Sequence, residues 1–201
     1  MKENKGRINE IITLMRQNGG ILTGREASER GLSRTFLPYL AKHGRVERTG
    51  RGVYQLPTVW QDPLWLLQHR FQRGIFSLST ALYLLGLSDR TPEQYDMTFP
   101  SSYNASAAKK EGVKCSFSSP SLYGLGIVSV QTAWGKPVLA YCAERTLCEL
   151  LRKRAHADPQ LVSTAFRRYV SRPGADVSLL LSFASQFHVE RLAQSYLEVL
   201  L

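Results

Sequence analysis

Residues 21–56 read ILTGREASERGLSRTFLPYLAKHGRVERTGRGVYQL, and the breaks in this stretch decide the fold. Thr23 and Glu26 have capping-box spacing, so a helix is expected to start after Thr23. Gly31 ends it after about two turns, because glycine enters a left-handed turn at little cost. Ser33 or Thr35 then caps a second helix that ends near Gly44. Pro38 is tolerated only in a first turn, so Thr35 as the cap reconciles it with a short helix over roughly residues 36–43. Val46 to Thr49 and Gly52 to Leu56 read as two strands, with Gly50-Arg51-Gly52 as the tip of a hairpin. Helix, turn, helix and basic hairpin together outline a winged helix-turn-helix module.

Upstream, Ile8, Ile11, Ile12 and Met15 repeat on one helical face before Asn18-Gly19-Gly20, which supplies the first helix of such a module. Its expected core is Ile8, Ile11, Ile12, Met15, Leu22, Ala27, Leu37, Leu40, Val46 and Tyr54. That leaves polar groups for DNA. Ser33, Arg34, Thr35, Tyr39 and Lys42 belong to the second helix or its start, where base edges are read. Arg34 can bond a guanine edge bidentately or hold a phosphate. Thr23 and Arg25 open the preceding helix, whose free N–H groups suit a phosphate. Arg45, Arg48 and Arg51 are expected to lie along the backbone as wing residues.

Charge placement agrees with this outline. The chain has 201 residues and a formal net charge of +10. Residues 1–56 hold 11 Lys/Arg against 5 Asp/Glu, a net of +6; residues 57–201 hold 15 against 11, a net of +4. Over half the excess therefore sits in little more than a quarter of the chain, an electrostatic footprint for a polyanion. No apolar run approaches the roughly 18 residues that cross a bilayer, and the N-terminus carries no secretory pattern. Cys115, Cys142 and Cys148 form no even set and no Cys-x-x-Cys pair, which predicts reduced thiols in a cytoplasmic protein.

Composition shifts after Pro57-Thr58-Val59-Trp60-Gln61-Asp62-Pro63. We expect a DNA-binding domain over 1–56, a linker over 57–62 and a second domain over 63–201. In the second domain, helices are expected over 63–72 and 77–85, and strands over 94–99, 113–117, 127–132 and 138–141. Residues 116–126 read as loop. Helices follow over 144–154, 159–170, 177–187 and 189–201. The fold class is α+β: a winged helix-turn-helix, then a mixed domain with a small sheet of about four strands and a helical C-terminal third.

Motifs that carry chemistry are missing from the sequence. It has no GxxxxGK[ST], GxSxG or HExxH. Asp96-Met97-Thr98 provides one carboxylate where a nucleotidyltransferase needs an Asp-x-Asp pair, and Gly124-Leu125-Gly126 reads as a turn. His43, His69, His156 and His188 are scattered without ligand spacing. No catalytic residue, metal ligand or cofactor is expected. Trp60, Trp65 and Trp134 are read as packing residues rather than base-stacking ones. The helix from Glu144 to Arg154 has one apolar face and a charged one. Its Arg145, Glu149, Arg152, Lys153 and Arg154, with Arg167 and Arg168 nearby, form a candidate surface for RNA or an acidic partner; favourable placement of cations at a helix C-terminus is the plainer account.

The run GLSRTFLPYLAKHGRVERTGRGVY resembles the N-terminal module of the AbiEi family of antitoxins, matching it at Ser33, Arg34, Leu40, Gly44, Arg48, Gly52 and Tyr54. Ser79-Thr80-Ala81-Leu82, Leu85-Gly86-Leu87-Ser88 and Pro92 resemble a further segment of the family, and Glu144-Arg145-Thr146-Leu147 another. Pro38 departs from the pattern, as does Glu149, which stands where aspartate is usual. The resemblance implies a repressor that binds inverted repeats in double-stranded DNA upstream of its own operon. It further implies an antitoxin of the type IV kind, whose second domain counters a nucleotidyltransferase toxin without a stable complex. A plain repressor whose second domain senses a ligand or dimerises is the alternative.

Overall fold

A computed structural model describes residues 2–33, 35–58, 62–152 and 156–200, with side chains from Gly6 onward. Arg34, Lys153 and Arg154 lie outside the described residues, as do residues 59–61 of the expected linker. The chain divides into two compact units, Met1–Leu66 and Leu67–Leu201.

The first unit begins with helix α1 (Lys2–Gln17) and strand β1 (Ile21–Thr23). Helices α2 (Gly24–Glu29) and α3 (Phe36–Lys42) follow, then strands β2 (Glu47–Gly50) and β3 (Val53–Gln55). The expected capping box is present: Glu26 N–H donates to Thr23 Oγ1 (3.1 Å), and Thr23 N–H donates to Glu26 Oε2 (2.8 Å). Gly31 takes φ +74°, and the chain turns there from α2 toward α3. The wing is three-stranded, not two-stranded as the sequence suggested. Its order is β1-β3-β2, with Ile21 opposite Gln55 and Thr23 opposite Val53. A three-residue strand cannot display its period, so β1 was hidden in the run-up to α2. The register slips between Arg48 and Gly50, a bulge next to the tip. Such bulges bend and twist a hairpin end. Ile11, Met15, Leu22, Ala27, Leu37, Leu40, Val46, Tyr54 and Leu56 form the buried core, with Ile8 and Ile12 packed against it.

The second unit is a five-stranded sheet with helices. Its elements, the first of which begins before the division point, are α4 (Pro63–Arg70), β4 (Ile75–Phe76), α5 (Leu78–Leu84), β5 (Asp96–Pro100), α6 (Ser106–Lys110), β6 (Lys114–Ser118) and α7 (Pro120–Tyr123). The series continues with β7 (Ile127–Gln131), β8 (Pro137–Tyr141), α8 (Ala143–Leu150), α9 (Pro159–Val170), α10 (Val177–Phe187) and α11 (Glu190–Leu200). Strand order is β6-β5-β4-β8-β7. β5 and β6 are parallel, as are β4 and β8; the other neighbours run antiparallel. The four expected strands are present, and the fifth is the central β4. Short α7 occupies part of the expected loop. α9 and α10 keep their expected bounds, with Asp158 and Asp176 as side-chain caps. The core joins Leu82, Leu147, Phe166, Tyr169, Leu180 and Phe183 between the helices. Trp134 departs from its expected packing role, being half-exposed just after β7. No helix among the described residues is long and apolar enough to cross a membrane.

Candidate nucleic-acid interface

Helix α3 turns Leu37 and Leu40 into the core and leaves Thr35, Pro38, Tyr39 and Lys42 exposed. Pro38 lies in the first turn of the helix, where its missing N–H costs no internal bond. Thr35 holds the cap position by its backbone alone: it has helical dihedrals, and its hydroxyl makes no capping bond. That hydroxyl instead meets Ser33 Oγ at 2.8 Å, while Thr35 N–H points to Ser33 Oγ at 3.4 Å. The Ser33 and Thr35 hydroxyls therefore sit together on the surface at the start of the helix. Tyr39 is 44% exposed. Its ring centroid is 4.1 Å from that of His43, whose Nδ1 lies 2.8 Å from the Tyr39 carbonyl oxygen. This pairing leaves an aromatic rim beside Lys42.

Elsewhere the wing and α2 present cations. Arg45, Arg48 and Arg51 are all exposed. Arg48 Nε donates to the Gly50 carbonyl at 3.3 Å, which steadies the bulged side of the hairpin. Arg51 stands at the tip beside Gly52, whose φ is +75°. Arg25 is exposed and shares a 2.8 Å bond with Glu29. Thr23 differs from the other residues expected at DNA. It is 4% exposed and committed to the capping box, so its part is to set the start of α2.

The structure adds a feature that the sequence did not reveal. Arg7 of α1 and Arg30 after α2 join Ser33 and Phe36 around a hollow of about 390 Å³, with Glu10 on the same wall. These residues are far apart in sequence, and only the packing of α1 beside the turn brings them together.

The second candidate surface departs from expectation. Arg145 was expected on the charged face of its helix, yet it is fully buried. In α8 every residue from Ala143 to Cys148 is buried, as is Leu150. Arg145 donates to the carbonyl oxygens of Leu122 (2.5 Å), Tyr123 (3.4 Å) and Leu125, and pairs with Glu149 at 3.0 Å. Glu144 is buried too and accepts the Tyr169 hydroxyl at 2.8 Å. Spacing cannot distinguish a charge that faces water from one that faces a loop carbonyl cluster. Arg152 is half-buried, with its guanidinium 5.4 Å from the Phe187 ring centre. Arg168 pairs with Asp89, whose carboxyl is held below the ordinary range by that bond. Arg167 is exposed.

Three helices, a turn between the second and third, and a bulged basic hairpin define the first unit as a winged helix-turn-helix, a fold class that reads DNA. Residues 9–57 match the model of a family described as "Transcriptional regulator, AbiEi antitoxin". The matched segment takes in most of α1 and everything through β3, and the second unit lies outside it. The chain also resembles a crystal structure of the RV2827C protein from Mycobacterium tuberculosis. The identity is 15%, the TM-score 0.57, and the likeness covers 96% of this chain and 81% of that one. At that identity the likeness establishes the fold alone. No curated protein matches the sequence.

Proposed function

We propose that the protein is a DNA-binding transcriptional repressor that autoregulates its operon and serves as the antitoxin of a type IV system, countering a nucleotidyltransferase toxin. The observation that carries this is the basic winged helix-turn-helix over the segment that matches the AbiEi regulator family. In this reading α3 enters the major groove. Ser33, Arg34, Thr35, Tyr39 and Lys42 face base edges and nearby phosphates; Arg25, Arg45, Arg48 and Arg51 hold the backbone. Arg7 and Arg30 give a further phosphate cradle beside the start of α3. Thr23 acts indirectly, by fixing α2. The target is an inverted repeat in double-stranded DNA, and the toxin is countered without a stable complex. The protein is read as a non-enzyme acting in the cytoplasm. Residues 63–201 carry the antitoxin action, with Arg152, Arg167 and Arg168 the described remnant of the basic surface.

Two measurements test this. Purified protein should shift a fragment of its own upstream region in preference to unrelated DNA, and cells expressing the adjacent nucleotidyltransferase should be rescued by the intact chain. A shift without rescue would favour the plain repressor, whose second unit senses a ligand. Absence of both would overturn the proposal.

A further inference from the structure

Asp96 is a buried carboxylate of the second unit. Its side chain is 4% exposed, and its nearest cation is Lys114 Nζ at 4.0 Å, beyond hydrogen-bond reach. Asp96 N–H donates to Thr80 Oγ1 at 2.8 Å, yet the carboxylate Oδ1 has no hydrogen-bond partner. A buried acceptor left this way carries a desolvation cost that a ligand donor can relieve.

The surroundings are a built cavity. Asp96 lines a hollow of about 360 Å³, which shares Leu78 and Lys114 with a second hollow of about 330 Å³. Each is within the size range of small-molecule sites. The parallel pairing of β5 with β6 sets Asp96 beside Lys114 and Thr98 beside Ser116, which makes a polar floor. Arg152 lines the second hollow as well. Backbone strain also gathers here. Among the described residues three non-glycines have left-handed φ, and two of them, Leu78 and His156 (both +47°), line these hollows. Strain of this kind persists where the surroundings enforce it and is often found at ligand sites.

The charges restrict what fits. Of the other acids on the cavity wall, Glu149 pairs with Arg145 at 3.0 Å through Oε1 alone, Asp158 pairs with Arg90 at 3.2 Å, and Glu93 is exposed. Lys114 and Arg152 disfavour a cationic amine, so a neutral N–H suits Asp96 as donor. The same cations suit an anionic group at the other end, with the Ser116 hydroxyl beside it. A molecule with neutral N–H donors at one end and phosphate at the other satisfies both requirements.

We propose that the paired hollows bind a nucleoside phosphate, with the base N–H groups on Asp96 and the phosphate on Lys114 and Arg152. Guanine, which offers adjacent imino and amino N–H groups, fits one buried acceptor better than bases with a single donor. Lys114 is 62% exposed in its side chain and can swing from above Asp96 toward the phosphate.

Equilibrium dialysis of the full chain with guanosine monophosphate, inosine monophosphate and inorganic phosphate tests the assignment. The guanine nucleotide should bind saturably. The inosine nucleotide, lacking the amino group, should bind about tenfold more weakly, and phosphate more weakly still. Lys114→Ala should lower affinity for the guanine nucleotide by about tenfold or more, whereas Lys110→Ala on α6 should leave it unchanged. The ligand series uses the unaltered protein, so it does not depend on variants folding. No saturable nucleotide binding, phosphate binding as tightly as the nucleotide, or an unchanged Lys114→Ala would each overturn the proposal.

Discussion

The guanidinium carbon of Arg145 stands 3.3 Å from the centre of the Tyr141 ring, inside the protein and out of reach of solvent. The ring covers one face of the cation, while three carbonyls and Glu149 take its N–H groups. This arrangement ties the segment around α7 to α8. Burial pushes the Tyr141 hydroxyl pKa well above the ordinary tyrosine range, against the opposing pull of Arg145.

Removing this cation should be among the most damaging single changes. Arg145→Ala takes a fully buried cation away from Glu149 and from three carbonyl acceptors, and breaking a buried pair costs about 3–5 kcal/mol. Arg145→Lys should recover little, because an ammonium lacks the planar fork that reaches several acceptors at once. Urea unfolding of both variants measures this. A Lys variant as stable as the parent would refute the fork-based account.

Gly126 and Gly135 offer a controlled pair. Both have positive φ, +66° and +69°, but a Cβ on Gly126 would meet Cys142 Sγ at 2.9 Å and Phe183 at 3.1 Å, whereas one on Gly135 meets nothing. Gly135→Ala should cost about 1–2 kcal/mol from the left-handed backbone alone. Gly126→Ala adds overpacking of roughly 1–3 kcal/mol. Equal melting temperatures for the two variants would contradict the packing argument.

Asp96 gives stability a pH dependence of defined sign. Burial, the largest influence, raises its pKa above the ordinary value of 3.8, against the opposing pull of Lys114 and the helix N–H groups. A carboxyl with a raised folded pKa contributes stability that is complete below the unfolded value. That contribution is lost as pH rises through the folded value. Asp96→Asn should therefore flatten the decline in stability across that window, as read by urea midpoints from about pH 3.5 to 7; an unchanged slope would assign the decline to other groups.

The thiols should be slow to react. Burial pushes Cys142 up to about 11 and Cys148 to about 12, and it raises Cys115 as well despite the opposing charge of Lys109. Thiolate is the nucleophile, so modification by a disulfide reagent near about pH 7.5 should proceed far faster in denaturant than in the native protein. Rapid native labelling of Cys148 would contradict its burial.

For the wing, Arg48→Ala and Arg51→Ala should weaken binding to all DNA sequences. Each should also flatten the salt dependence by about one unit of slope for every phosphate that is no longer neutralised. Arg34→Ala should instead relax sequence preference. Uniform loss on every DNA would move Arg34 into the backbone-binding group.

Sequence alone determined the first unit almost completely, because its signals are local. A capping box, a left-handed glycine and a short helix with Pro38 in its first turn each act within a few residues. The core positions followed from helical period. In the second unit α9 and α10 were equally legible, down to the Asp176 cap of α10, whereas α8 ends at Leu150 rather than at the expected residue 154. Tertiary structure alone decided three things. The two-residue β4 is central because β5 and β8 pair on either side of it, a fact that no two-residue pattern can encode. Arg145 is buried because carbonyls from residues 20 or more positions away supply acceptors that solvent would otherwise provide. The Asp96 cavity exists because parallel pairing sets β5 beside β6, and side chains remote in sequence meet there. Propensity and period report what a residue needs; only packing shows which distant group supplies it.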